Sequence, residues 1–184
     1  MKKIFCLVIV FCLFALSVRA DEGVVGKWVD NVVAQTKETW NSPHYDIYAP
    51  MYAWHNRLTY DKEHIAKYNE NAFGFGMGKS MYDDRGNWHG LYAMFFKDSN
   101  YYWETIAGYA YQKNWRIGCD NDWRVGLGYT LSLTQRHEYA YIPVPLPLPI
   151  FGIEYKRLAV QGAYVPGWEN MGNVAFFWIR FNLD

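Results

Sequence analysis

After its first twenty residues the chain has no apolar run near the ~20 residues that a membrane-spanning helix needs. Cysteine is scarce, with three in 184 residues. Two of them, Cys6 and Cys12, lie in the apolar N-terminal stretch, so Cys119 is left alone. That excludes an intramolecular disulfide or a cysteine-built metal site downstream. Net charge is also missing. Eighteen basic residues balance eighteen acidic ones, and no basic footprint for nucleic acid is visible. His44, His64, His89 and His137 lack metal-ligand spacing, so no metal is expected. Asp120-Asn121-Asp122 begins like a calcium loop, but the glycine and glutamate that must follow are absent. No Gly-x-Ser-x-Gly elbow surrounds any serine.

What is abundant is aromatic. Phe, Trp and Tyr make up 20% of the chain, yet mean hydropathy is −0.24. Many aromatics, modest hydropathy and no spanning helix fit a transmembrane β-barrel, whose lipid-facing and lumen-facing residues alternate and average out. A secreted β-sandwich or lipocalin-like barrel alternates too and is the rival. Met1-Lys2-Lys3, the apolar run Ile4 to Leu16 and Val18-Arg19-Ala20 read as a secretory signal over residues 1–20. Its double lysine suits a bacterial envelope protein. Without Lys2, Lys3 and Arg19 the remainder carries three more acidic than basic residues.

Residues 21–43 are expected to form an amphipathic helix, with Val25, Trp28, Val29, Val32, Val33 and Trp40 on one side. Asn41-Ser42-Pro43 ends it. It is either an interfacial helix clamping a barrel from the periplasmic side or an ordinary surface helix. Residues 44–184 then hold about eight strands, near 45–60, 72–82, 88–96, 101–112, 123–134, 139–150, 153–165 and 173–181. Eight is even, as single-chain outer-membrane barrels require. With the helix at one end, the loops after strands one, three, five and seven share the other. His55, Asp98 and Ser99 therefore meet at one rim by counting alone.

Two strands are bulky on one face and nearly bare on the other. Phe73, Phe75 and Met77 oppose Gly74, Gly76 and Gly78; Leu127, Leu131 and Leu133 oppose Gly126, Gly128, Thr130 and Ser132. Bare inner faces predict a slot in a barrel that side chains normally fill. Glycine used to bend the sheet is the alternative. Pro143, Pro145, Pro147 and Pro149 lack the N–H that a ladder needs, which predicts a lateral doorway for a lipid tail, with Pro166 near the same opening. A base, a carboxylate and a hydroxyl suit acyl transfer or ester hydrolysis, although Asp98 and Ser99 are also ordinary turn residues. Their placement above an apolar slot and beside a lateral gap raises the first reading.

Trp54-His55-Asn56-Arg57 with Tyr60-Asp61-Lys62-Glu63, Gly86-Asn87-Trp88-His89-Gly90-Leu91-Tyr92-Ala93-Met94, Phe96-Lys97-Asp98-Ser99, Tyr141-Ile142-Pro143 and Pro166-Gly167 strongly resemble the lipid A palmitoyltransferase family of Gram-negative outer membranes. The resemblance covers essentially the whole chain after residue 20. It implies an eight-stranded antiparallel transmembrane β-barrel with an N-terminal amphipathic helix. It also implies transfer of a palmitoyl chain from a glycerophospholipid to lipid A by a membrane-embedded monomer, without cofactor, from a site facing the extracellular side. The family's functional residues match His55, Asp98 and Ser99, with Asp98 expected to orient or charge-stabilise the histidine. Its proline-bordered openings match Pro50 on one side and Pro149 with Pro166 on the other. Two positions depart from the family: Ala72 replaces the second proline of the first opening, and Ala110 replaces a glycine at the floor of the acyl-measuring pocket. The added methyl implies a preference at or slightly below palmitate. A small structural or adhesion barrel, and an enzyme that removes acyl chains from lipid A or phospholipid, are the rival functions.

Overall fold

The computed structural model describes residues 23–118 and 122–183; the predicted signal and Cys119 lie outside them. Helix α1 (Val24–Asn41) precedes β1 (Tyr45–His55), a short helix α2 (Lys62–Lys67) and β2 (Gly74–Tyr82). Then follow β3 (Trp88–Lys97), β4 (Trp103–Ile117), β5 (Trp123–Gln135), β6 (Val144–Tyr155), β7 (Leu158–Val165) and β8 (Val174–Asn182). Neighbours in sequence pair antiparallel, and β8 returns to β1, so the sheet closes into an eight-stranded barrel. Residues 61–67, a charged segment of the sequence, include α2 because the Asp61 side chain caps its N-terminus by accepting the His64 amide at 2.9 Å.

The outside of the wall is apolar. Phe73, Phe75, Met77, Phe95, Leu127 and Leu133 are exposed while their strand neighbours turn inward. Aromatic side chains mark both rims: Trp54, Tyr102 and Trp103 at the end carrying the long loops, Trp115, Trp123 and Tyr155 at the other. An apolar band between aromatic girdles is the surface a bilayer requires. Helix α1 lies outside the wall at the short-turn end, against β2 and β3. Thr39 is its buried contact. Val24, Val25, Trp28, Val29, Val33 and Trp40 stay exposed, as an interfacial helix needs.

Among the described residues the ladder has two gaps, both at the long-loop end. Strand β6 pairs with β5 from Thr134↔Val144 to Trp123↔Tyr155, but with β7 only from Ile150 downward. Successive residues of a strand aim their N–H groups at opposite neighbours. Pro145, Pro147 and Pro149 therefore strip donors from one edge of β6 alone, and the intact β5 ladder shows that this edge faces β7. Strand β1 pairs with β2 only from Tyr45↔Lys79 to Tyr48↔Gly76, and the β1–β8 register shifts between Pro50 and Tyr52.

Candidate functional site

At the long-loop end the β3–β4 turn presents Ser99. One Asp98 carboxylate oxygen, Oδ1, accepts the amides of Asn100 and Tyr102, each at 2.8 Å. Tyr101 takes a positive φ of 66° to close the turn. The Asn69 amide donates to the Ser99 carbonyl at 2.8 Å and Asn69 Nδ2 to that of Asp98 at 3.2 Å, lashing the turn to the β1–β2 loop. Ser99 Oγ then lies 3.1 Å from His55 Nε2.

His55 is buried at 1% exposure, the last residue of β1. Tyr68 stacks on its ring with centroids 4.8 Å apart, and Tyr60 meets it edge-on at 5.1 Å. The carboxylate at its other nitrogen belongs to Glu70, not Asp98: His55 Nδ1 to Glu70 Oε1 is 3.1 Å. Asp98 reaches Arg136 instead, at 3.8 Å, where Arg136 also pairs with Glu104 and Glu138. The expectation that Asp98 orients the histidine is thus corrected. One oxygen, Oδ1, holds the turn that carries Ser99, while the buried Oδ2 faces Arg136 without a hydrogen bond.

Below this rim the lumen is apolar. Met94, Phe96, Ile106, Ala110, Leu148, Ile150 and Trp178 form one buried cluster with Tyr48 and Trp88. Among the described residues, side chains fill the central lumen where glycine suggests an open slot. Tyr48, Trp88, Tyr92, Met94, Ala110, Thr130, Ile150 and Trp178 enclose only about 10 Å³, room for about one water. Of the predicted pocket residues Ala110 lines that void; Gly74, Gly76, Gly78, Gly126 and Gly128 do not. Their missing side chains are compensated by neighbours. A Cβ at Gly76 would stand 2.5 Å from Met94 Cγ, and one at Gly126 would collide with Gln112. A wider groove of about 470 Å³, lined by Trp115, Leu127, Phe151 and Phe177 among others, reaches Gly126 and Gly152 near the short-turn end.

The lumen ends in charge. Arg180 pairs with Asp46 at 3.3 Å and with Glu154, and it lies over the Trp88 ring. Tyr82 donates to Glu154 at 2.6 Å and Arg124 bonds it at 2.5 Å. Apolar matter entering from the rim meets this ionic floor.

The family model described as "Antimicrobial peptide resistance and lipid A acylation protein PagP" matches residues 35–180. The chain belongs to the PagP family. A "Lipid A acyltransferase PagP" from Proteus mirabilis is 49% identical over 166 residues, covering 90% of this chain and 76% of that protein. The Cronobacter sakazakii protein of the same name is 46% identical over 97% of this chain and 96% of its own length. The one from Photorhabdus laumondii is 53% identical over 78% and 69%. Among solved structures, Neisserial surface protein A covers 76% of this chain and 92% of its own, at 12% identity and a TM-score of 0.39.

Ala72, where the resemblance implies a proline, has a visible effect. Its N–H donates to the Met51 carbonyl at 3.2 Å, a bond proline cannot make, and Tyr52 bridges Asn71 beside it. The opening bordered by Pro50 is laced across, whereas the one between Pro149 and Pro166 has no ladder pairs among the described residues. Glu70 was missed in the sequence. It sits in a polar loop without motif spacing, and only the need of Arg57 for a carboxylate partner hinted at it.

Proposed function

We propose that this chain moves a palmitoyl-length acyl chain from a glycerophospholipid to lipid A, as a monomer at the extracellular face of the Gram-negative outer membrane. An outer-membrane barrel that acylates lipid A is the reading its PagP membership carries. The donor, the orientation and the residue roles are the proposal.

The donor tail enters through the gap between β6 and β7 and runs down the apolar lumen toward the ionic floor. It displaces pliable side chains such as Met94, whose unbranched thioether repacks readily. The ester carbonyl stays at the rim beside Ser99 and His55. There the attacking hydroxyl loses its proton to His55 Nε2 as its oxygen bonds the carbonyl carbon. The ester C–O bond breaks, and His55 returns the proton to the departing glycerol oxygen. Ser99 marks where that hydroxyl sits. Transfer through Ser99 leaves an acyl ester on it when donor is supplied alone, and direct attack by lipid A does not. The observation that carries this reading is the 3.1 Å approach of Ser99 Oγ to His55 Nε2 above an apolar lumen.

The test is the mass of lipid A from cells expressing the protein, His55→Ala or Ser99→Ala. The wild type adds one acyl chain, and each variant lowers that product roughly 100-fold or more. A chain lost would make it a deacylase; no change with the wild type would make it a structural barrel.

A further inference from the structure

We infer that Glu70, on the loop between β1 and β2, is the positioning residue that holds His55 with its proton on Nδ1 and its lone pair on Nε2, toward Ser99. This rests on the reading that His55 and Ser99 carry the chemistry. Every group around the Glu70 carboxylate is a donor. Oε1 receives the His55 amide at 3.1 Å and Arg57 Nη1 at 2.6 Å; Oε2 receives Arg57 Nη2 at 2.7 Å and the Tyr52 hydroxyl at 2.8 Å. Such a two-pronged guanidinium contact keeps the carboxylate ionised. An ionised carboxylate only accepts, so the His55 Nδ1 at 3.1 Å must bring the hydrogen. Neutral imidazole then has one acceptor left. That nitrogen is Nε2, and the group facing it is Ser99 Oγ.

The surroundings confine the plane of the ring. Tyr68 covers one face and Tyr60 abuts it. The Tyr60 hydroxyl is tied to the Gly172 carbonyl at 2.7 Å, and the Glu70 carbonyl accepts the Ala53 amide at 2.9 Å. When Nε2 takes a proton, both ring nitrogens become donors and the Nδ1–H bond to Glu70 becomes a bond between opposite charges. Other charged groups at this rim include Arg57, Lys97 and, across the mouth, Asp98 and Arg136 with Glu104 and Glu138. Neither Asp98 nor Arg136 is positioned to replace Glu70 at Nδ1, since each is engaged on the β3–β4 and β5–β6 loops.

The experiment uses purified full-length protein in micelles containing phospholipid and lipid A, with Glu70→Gln, Glu70→Asp and Glu70→Ala. Glu70→Gln is expected to lower kcat about 100-fold or more with little change in KM, as removal of a histidine-orienting carboxylate does elsewhere. Its acidic limb in the pH profile moves to lower pH, because a neighbouring anion favours the imidazolium and Arg57 would remain. Glu70→Asp restores part of the rate. Nitrogen and proton NMR of wild-type His55 needs no variant to fold: it should show a protonated, hydrogen-bonded Nδ1 and a bare Nε2 at neutral pH. An Nε2-protonated ring in the wild type, or Glu70 variants with the wild-type rate and limb, overturns the inference. His55→Ala and Ser99→Ala in the same assay separate the two levels. If they retain full activity, the underlying reading falls; if they are inactive while Glu70 variants are not, only the role of Glu70 falls.

Discussion

A serine hydroxyl, an imidazole and a carboxylate stand in line at the barrel mouth, and the line crosses three separate chain segments. His55 and Ser99 could be brought together from sequence because strand parity places the ends of β1 and β3 at one rim whatever the boundary errors. Asp98 was given the wrong partner. Adjacency to Ser99 suggested a shared task, but a carboxylate at that turn position is drawn to the backbone amides of Asn100 and Tyr102. Glu70 could not be found by counting, since its contact depends on how the β1–β2 loop folds back over β1. Arg57, chief among several donors, holds the Glu70 carboxyl at about 2, well below its ordinary 4.5. A depressed carboxylate stabilises the fold fully above its unfolded value and loses that contribution as pH falls through the folded one. Hydrogen-exchange protection of the Ala53 and His55 amides, corrected for intrinsic rates, should therefore hold from neutral pH to about 5 and decay between about 4.5 and 2. Protection already lost between neutral pH and 5 would mean that Glu70 does not secure the loop.

Among the elements, β6 was the most legible. Prolines spaced by two can remain in a ladder only if they face an unpaired neighbour, and the missing β7 pairs above Ile150 bear that out. Its limits were less so: the strand begins at Val144 rather than at 139, because the 3₁₀ turn His137–Tyr139 and the left-handed Ala140 and Tyr141 occupy the preceding residues. The glycine-faced strands misled. Alternation showed correctly which face turns inward, but not that side chains from β3 and β4 fill the space above Gly76 and Gly126. Ala72 is a clear case of one atom changing an element's edge, because its N–H closes a gap that proline would leave. Ala72→Pro should cost about 1 kcal/mol of stability for the lost hydrogen bond. It should also raise the rate at which lipid enters between β1 and β2, read as faster acyl transfer at limiting lipid A, since the donor uses the β6–β7 gap. An unchanged rate with the stability loss would show that the lacing at Met51 does not gate lipid.

For the molecule as a whole, closure of β8 on β1 sets an apolar lumen between a reactive rim and an ionic floor. Aromatic content and alternation made that barrel readable. The floor was not, because Asp46, Glu154 and Arg180 come from three distant strands and share no spacing. On the proposed reading, the ionic floor sets the depth to which an admitted acyl chain can reach. Ala110 lines the small central void at that depth. The most direct measurement supplies purified protein and its Ala110→Gly variant with lipid A and glycerophospholipids of graded acyl length, and reads the length transferred by mass spectrometry. A lumenal tail requires a sharp optimum at or just below palmitate in the wild type, moved up by about one methylene in the variant, since packed space tolerates added atoms poorly. A broad optimum, or one that Ala110→Gly leaves in place, would contradict it and put the acyl chain outside the barrel.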